Sequence, residues 1–200
     1  MDWEMVSTFT FFKLMWGDGE IRGQKYRLRR GTSTLPSSFG AFGPAVPTEL
    51  QLVSHPTEMA HWTAEQRASG ARVGFVPTMG ALHEGHRALI RAARLACDAV
   101  VVSIFVNPAQ FAPTEDLAKY PRQFRLDRAL CAKEGVDAIF APTAAAMYPA
   151  GFQSIVAVPG LARRWEGEAR PHHFQGVATV VTKLLSLVQP DISWFGQKDF

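Results

Sequence analysis

From residue 49 onward the sequence predicts an α/β protein built on an open, Rossmann-like parallel sheet. Three observations carry that expectation. Short apolar runs alternate with stretches of helical period. The apolar runs lack in–out alternation, as strands covered on both faces do. The unusual polar clusters follow residues 77, 106 and 195, just past such runs, and open parallel sheets bind ligands at the carboxyl ends of their strands.

The elements follow in order. "RVGFVP" (72–77) predicts a buried strand ended by Pro77. The helix beginning near Gly85 puts Leu89, Ala92, Ala93 and Ala96 on one stripe and Arg87, Arg91, Arg94 and Asp98 on the other side. "AVVVSIFV" (99–106) is a second strand, stopped by Asn107-Pro108. A helix over about 122–134 turns Leu126, Ala129 and Leu130 inward and ends at Gly135, which suits a C-cap. "VDAIF" (136–140), "SIVAV" (154–158) and "ISWF" (192–195) predict further strands, the last one buried. Between them "VATVVTKLLSLV" (177–188) has helical spacing, against the preference of its many β-branched residues.

Residues 1–48 read differently. "FTFFKLMW", a basic run and "GTSTLPSSFGAFGPAVP" suggest an unstructured extension or a start codon set too early, with a targeting or docking role as the alternative, and Asp2, Glu4 and Lys13 spoil a secretory signal. The expected organisation is therefore an extension over 1–48 and one α/β domain over 49–200. A net charge of +3 gives no electrostatic case for a nucleic-acid binder, and no apolar run approaches a membrane span. Cys97 and Cys131, in apolar helical stretches, read as small buried hydrophobes of a reducing compartment.

"TMGALHEGH" (78–86) places His83 and His86 three apart where a strand becomes a helix. A zinc-protease helix needs histidines four apart, and no further Cys or His stands nearby at ligand spacing, so no metal site is expected. A phosphate site fits better. Gly80 and Gly85 allow close approach, helix-start N–H groups favour anions, and two imidazoles add donors. Surface or capping histidines remain the bland alternative.

"VPTMGALHEGH" resembles the signature of the pantothenate synthetase (pantoate–β-alanine ligase) family, which carries the H-x-G-H mark of its nucleotidyltransferase superfamily. Further blocks resemble the family in order: "FVNPAQF" (105–111), "EDLAKYPR" (115–122), "PTAAAMYP" (142–149), "RPHHFQGVATVVTKLL" (170–185) and "FGQKDF" (195–200). The resemblance implies a cytoplasmic, homodimeric ligase that joins pantoate to β-alanine at the expense of ATP and Mg2+ through a pantoyl adenylate. It implies an ATP site formed by Met79, Gly80, Ala81, Leu82, His83, Glu84, Gly85 and His86 together with Gly196, Gln197, Lys198 and Asp199. His83, His86 and Lys198 would serve the phosphates, with His86 commonly given the acid role. Gln110 would bind pantoate, with Asn107 either a neighbour in the site or simply the residue that shapes the Asn-Pro turn. Gln197 stands where the family has Glu, and His172 where it has Gly. Arg170 and His173 are expected to shape a loop without taking part in chemistry, and Asp127 is weighed as a magnesium contact without being assigned one. The resemblance also implies a C-terminal domain beyond these 200 residues and hence reduced activity of this chain. The rivals are another nucleotidyltransferase, such as a phosphopantetheine adenylyltransferase, and a non-catalytic nucleotide-binding remnant.

Overall fold

The computed structural model describes residues 20–21, 24–25, 49–112, 117–160, 162 and 166–197. The chain divides into Met1–Val46 and Pro47–Phe200. In the first unit Glu20–Ile21 and Gln24–Lys25 pair antiparallel; the rest of the expectation for residues 1–48 lies outside the described residues.

In the second unit β1 (Gln51–Val53), β2 (Val73–Thr78), β3 (Ala99–Ile104), β4 (Ala138–Phe140) and β5 (Ile192–Ser193) alternate with helices. The helices are α1 (Pro56–Ala68), α2 (Glu84–Ala96), α3 (Phe124–Lys133), α4 (Ala144–Met147), α5 (Glu166–Ala169) and α6 (His173–Val188). The five strands form one parallel sheet in the order β1-β4-β3-β2-β5. The chain thus moves outward from β2 to β3 and β4, then returns to the other side of β2 as β5. β2 is therefore the topological switch point, where open α/β sheets bind their ligands.

Successive residues of a strand face opposite sides of the sheet, and the core splits accordingly. Val73, Phe75, Val101 and Phe140 pack with Met59 and Trp62 of α1 and with Val180, Leu184 and Val188 of α6. Val76, Val100, Val102 and Ile139 pack with Ile90 and Ala93 of α2 and Cys131 of α3. Each fully buried Val, Ile or Phe contributes about 1.5–3 kcal/mol, so the residues without in–out alternation fill two cores instead of one. Cys97 and Cys131 are both free and buried, and burial pushes the Cys131 thiol up to about 12.

Several expectations are corrected. Pro77 does not end its strand; it lies within β2, opposite Ser103. Odd-numbered residues of β2 turn their backbone polar groups toward β5, as the bonds to Val73 O and Phe75 O demonstrate. The β5 pairing stops at Phe75↔Ser193, so the N–H that proline lacks breaks no existing bond.

The segment 154–158 is not a strand. Val156 instead places both its N–H and its C=O on Thr179 Oγ1 of α6, at 3.0 and 3.4 Å, and Ile155 is 63% exposed. β5 is shorter than expected and half-exposed, as an edge strand. The buried face of α3 is also rotated from the expected one: Leu126 is 65% exposed, whereas Asp127 and Cys131 are buried. A carboxylate turned into the protein overrides apolar periodicity here because it meets two donors, described below.

On α2, Ile90 and Ala93 are buried and Leu89, Ala92 and Ala96 half-buried. The arginines on its other side do not simply face water. Arg87 and Arg91 both reach Glu134 at the end of α3, each at 2.7 Å, and Arg94 reaches Asp137. The helix over 56–68 has no counterpart among the expected elements, although its start is marked by His55, Pro56 and Glu58, which form a capping box with proline in the first turn.

Candidate functional site

The chain leaves β2 through a turn whose backbone is almost fully accounted for. Gly80 takes φ +83° and Ala81 φ +52°, a left-handed conformation that is costly for alanine. Gly80 N–H donates to Thr78 Oγ1 at 3.1 Å, and Thr78 Oγ1 in turn donates to Ser103 O at 2.7 Å. The next two amides, Ala81 and Leu82, donate to the two oxygens of Asp127 at 3.0 and 2.8 Å. Leu82 is buried and the chain then enters α2.

His83 is the N-cap of α2. Its Nδ1 accepts from Gly85 N–H at 3.1 Å, and His83 N–H donates to Nδ1 of His86 at 3.3 Å. This is a capping box made by two imidazoles, whose centroids lie 4.2 Å apart. A ring nitrogen that accepts from an amide carries no proton, so each neutral ring bears its hydrogen on Nε2. The structure thus shows the capping alternative: Nδ1 of each ring accepts an amide, which puts the hydrogen of each neutral ring on Nε2. The N–H groups of Gly80, Ala81, Leu82, His83 and Gly85 all have protein acceptors. Glu84 is exposed and paired with Arg87.

The turn after β3 is built differently. Asn107, 1% exposed, caps the short 3-10 turn Pro108–Gln110. Its Nδ2 donates to Gln110 Oε1 (3.2 Å) and Gly176 O (3.1 Å), while its Oδ1 accepts from Ala109 N–H (3.2 Å) and Tyr148 O–H (2.8 Å). An amide has two donors and two acceptor sites, so Asn107 is saturated by the protein. It thus shapes the Asn-Pro turn, the alternative expected of it, and touches Gln110 directly. Gln110 is half-buried and its Nε2 reaches Met79 Sδ at 3.0 Å, which ties this turn to the one after β2.

Gln110 O meets Nδ1 of His173 at 3.0 Å and accepts from Arg170 Nη2 at 3.3 Å, in keeping with the loop-shaping expected of those two residues. Gly176 lets α6 approach: a Cβ there would lie 2.3 Å from Ala109 O. A 310 Å³ cleft opens beside Met79, Gly80 and Asp127, walled by Ile104, Phe105 and Phe124. Gly196, half-buried, and Gln197, exposed, follow β5 on the other side of β2; Lys198 and Asp199 lie outside the described residues. Among the described residues no three His, Cys, Asp or Glu side chains gather as a metal cage would.

Sequence reasoning missed the amide-holding role of Asp127 and the packing role of Gly176. Neither has a local signature, since their partners lie 45 and about 69 residues away. The signals available were that Gly176 falls in the family-like block 170–185 and that Asp127 was weighed as a contact from a helix facing the site.

The family model for pantoate-beta-alanine ligase matches residues 51–200. The chain belongs to that family. It is 54% identical over 151 residues to pantothenate synthetase 1 of Bradyrhizobium diazoefficiens, covering 76% of this chain and 53% of that protein. To the pantothenate synthetase of Deinococcus radiodurans it is 62% identical over 133 residues, or 66% of this chain and 47% of the relative. Among solved structures, pantothenate synthetase from Thermus thermophilus superposes with a TM-score of 0.70 at 51% identity, over 74% of this chain and 52% of that one. A pantoate-beta-alanine ligase from Francisella tularensis, complexed with beta-gamma ATP and β-alanine, gives 0.68 at 37% identity, over 72% and 55%. The chain spans about half the length of the pantothenate synthetases it matches. No helix among the described residues is long and apolar enough to cross a membrane.

Proposed function

We propose that this chain provides the nucleotide-binding part of an ATP-dependent pantoate–β-alanine ligase. The observation that carries the reading is the two-histidine cap at the switch point of the sheet, which fixes two Nε2–H donors where a polyphosphate would lie. Family membership supports it, and so does the relative complexed with beta-gamma ATP and β-alanine.

In this reading a carboxylate oxygen of pantoate attacks the α-phosphorus of ATP, and the bond to the β-phosphate oxygen breaks. Pantoyl adenylate and pyrophosphate result. The amine of β-alanine then attacks the acyl carbon, the bond to AMP breaks, and a proton leaves the nitrogen to give pantothenate. His83 and His86 neutralise the charge that grows on the departing pyrophosphate by hydrogen bonding. Because Nδ1 of each ring is engaged in capping, His86 acts as an Nε2–H donor to phosphate and need not release its proton. By resemblance Lys198 serves the phosphates, Gly196, Gln197 and Asp199 serve the nucleotide, and Gln110 hydrogen-bonds pantoate. Mg2+ enters with ATP, held mainly by phosphates and water. The working protein is a homodimer of the cytoplasm.

The test is pantoate-dependent exchange of labelled pyrophosphate into ATP, with His86→Ala as control. Exchange that requires pantoate and falls at least 100-fold in the variant supports adenylate formation at this site. Exchange supported equally by phosphorylated acceptors would favour another nucleotidyltransferase. ATP binding with no exchange would favour a domain that binds nucleotide without chemistry.

A further inference from the structure

We propose that Asp127 is the positioning residue of the histidine segment: its carboxylate, by holding the Ala81 and Leu82 amides, sets the turn from which both imidazoles are presented. The inference rests on the nucleotide-site reading and adds to it a residue from a different helix.

Gly80 and Ala81 are consecutive left-handed residues, and a non-glycine there persists only when its surroundings over-determine it. The Asp127 bonds at 3.0 and 2.8 Å supply that determination, reaching across 46 and 45 residues. The carboxylate is 2% exposed, so it is not a surface group that happens to lie near. Its place in the first turn of α3 favours negative charge. Each of the two adjacent N–H groups takes its own oxygen. Asparagine offers one acceptor oxygen and would turn its NH2 against the second amide, so the site is specific for a carboxylate.

The steric evidence agrees. A Cβ on Gly80 would lie 3.1 Å from Asp127 Oδ2 and 3.1 Å from Ile104 Cγ2, so the turn and the carboxylate are fitted to one another. The same bonds turn both oxygens to the backbone. They also remove the Ala81 and Leu82 amides as phosphate donors, which leaves recognition from this segment to the imidazoles that Asp127 positions.

The experiment reads the ring tautomers of His83 and His86 by long-range 15N–1H NMR and the affinity for ATP by titration, in wild type, Asp127→Asn and Ile139→Val. The last is a buried substitution on the same face of the sheet, away from the site, and serves as a stability control. Wild type is expected to show both rings protonated on Nε2. Asp127→Asn should mix the tautomers and weaken ATP binding at least tenfold, while Ile139→Val leaves both unchanged. Unaltered tautomers and affinity in Asp127→Asn would overturn the proposal and leave Asp127 a purely structural residue.

Should Asp127→Asn not fold, Gly80→Ala displaces the carboxylate from the other side and carries the same expectations. In wild type, slow exchange of the Ala81 and Leu82 amides and their scalar coupling to the Asp127 carboxyl carbon must be seen, and their absence would also overturn it. A wild-type chain that binds no ATP would refute the nucleotide reading alone, since the tautomers still report on Asp127.

Discussion

The turns after β2 and β3 stand side by side at the carboxyl end of the sheet, yet they are held by different forces. The first is anchored by a charge: one buried carboxylate takes two amides, and two histidines cap the helix that follows. The second is anchored by contact and neutral hydrogen bonds, with Asn107 at its centre and the backbone of α6 pressed against it through Gly176. A charged anchor tolerates small displacements, because attraction falls off gradually with distance. A steric anchor does not, because overlap rises steeply over a few tenths of an ångström. The difference teaches where each turn is fragile.

The largest effect is expected from Gly176→Ala. The new Cβ would meet Ala109 O at 2.3 Å and Gln110 Cα at 2.7 Å, both backbone atoms that cannot swing aside. A loss of about 3 kcal/mol is expected, seen in thermal unfolding as a lowering of roughly 6–12 °C for a unit of this size. A fall below 1 kcal/mol would dissolve the contrast between the two turns.

Asn107→Ala comes next. It strips partners from Gly176 O, Ala109 N–H and Tyr148 O–H and should cost about 2 kcal/mol. It should also reduce pantoate-dependent exchange as much as Gln110→Ala does, whereas Gln110→Ala leaves the melting temperature nearly unchanged. Equal stability losses in the two variants would show that Asn107 does not act through Gln110.

Gly85→Ala sharpens the comparison from the other side. Its Cβ would lie 2.9 Å from Cε1 of the His83 ring, a side chain that can rotate away, while alanine gains up to about 1 kcal/mol of helix propensity. Stability should stay within about 1 kcal/mol of wild type, but ATP binding should weaken several-fold because the displaced ring no longer caps. Unchanged ATP binding would argue that the ring's position is unimportant.

The smallest effect concerns pH. The hydrogen bond from Arg91, joined by that from Arg87, holds the Glu134 carboxyl below the ordinary glutamate value against the opposing effect of burial. A depressed folded-state pKa means the ionised group stabilises the fold above its unfolded value, and that contribution is lost as pH falls through the folded value. An acid-unfolding series on Glu134→Gln should therefore show a shallower loss of stability on the acid side, with little difference from wild type in slope above pH 6.

How much of this was legible in the sequence depended on whether the cause was local. The alternation of strand and helix was legible, because buried strands and amphipathic helices write their periods into neighbouring residues, as in 99–104 and 84–96. So was the placing of His83 at the start of α2 and of Gln110 in the turn after β3. The inward face of α3 was not, because Asp127 is turned inward by amides near residue 81 and no residue of α3 announces them. The apolar run 154–158 misled for the converse reason. It has the composition of a strand, but its backbone is taken up by Thr179 and it joins no ladder. For Asn107 the sequence left a site neighbour and a turn-shaper open, and only three-dimensional packing reveals that all four of its hydrogen-bonding positions are occupied within the protein.

Pro77 has one more effect. Had that position carried an amide hydrogen, the next rung between β2 and β5 would run from it to the carbonyl of Trp194, and the two strands would zip closer to the histidines. The imino acid forbids that rung. The ladder therefore stops at Phe75 and Ser193, a limit set by covalent structure and so independent of temperature or salt.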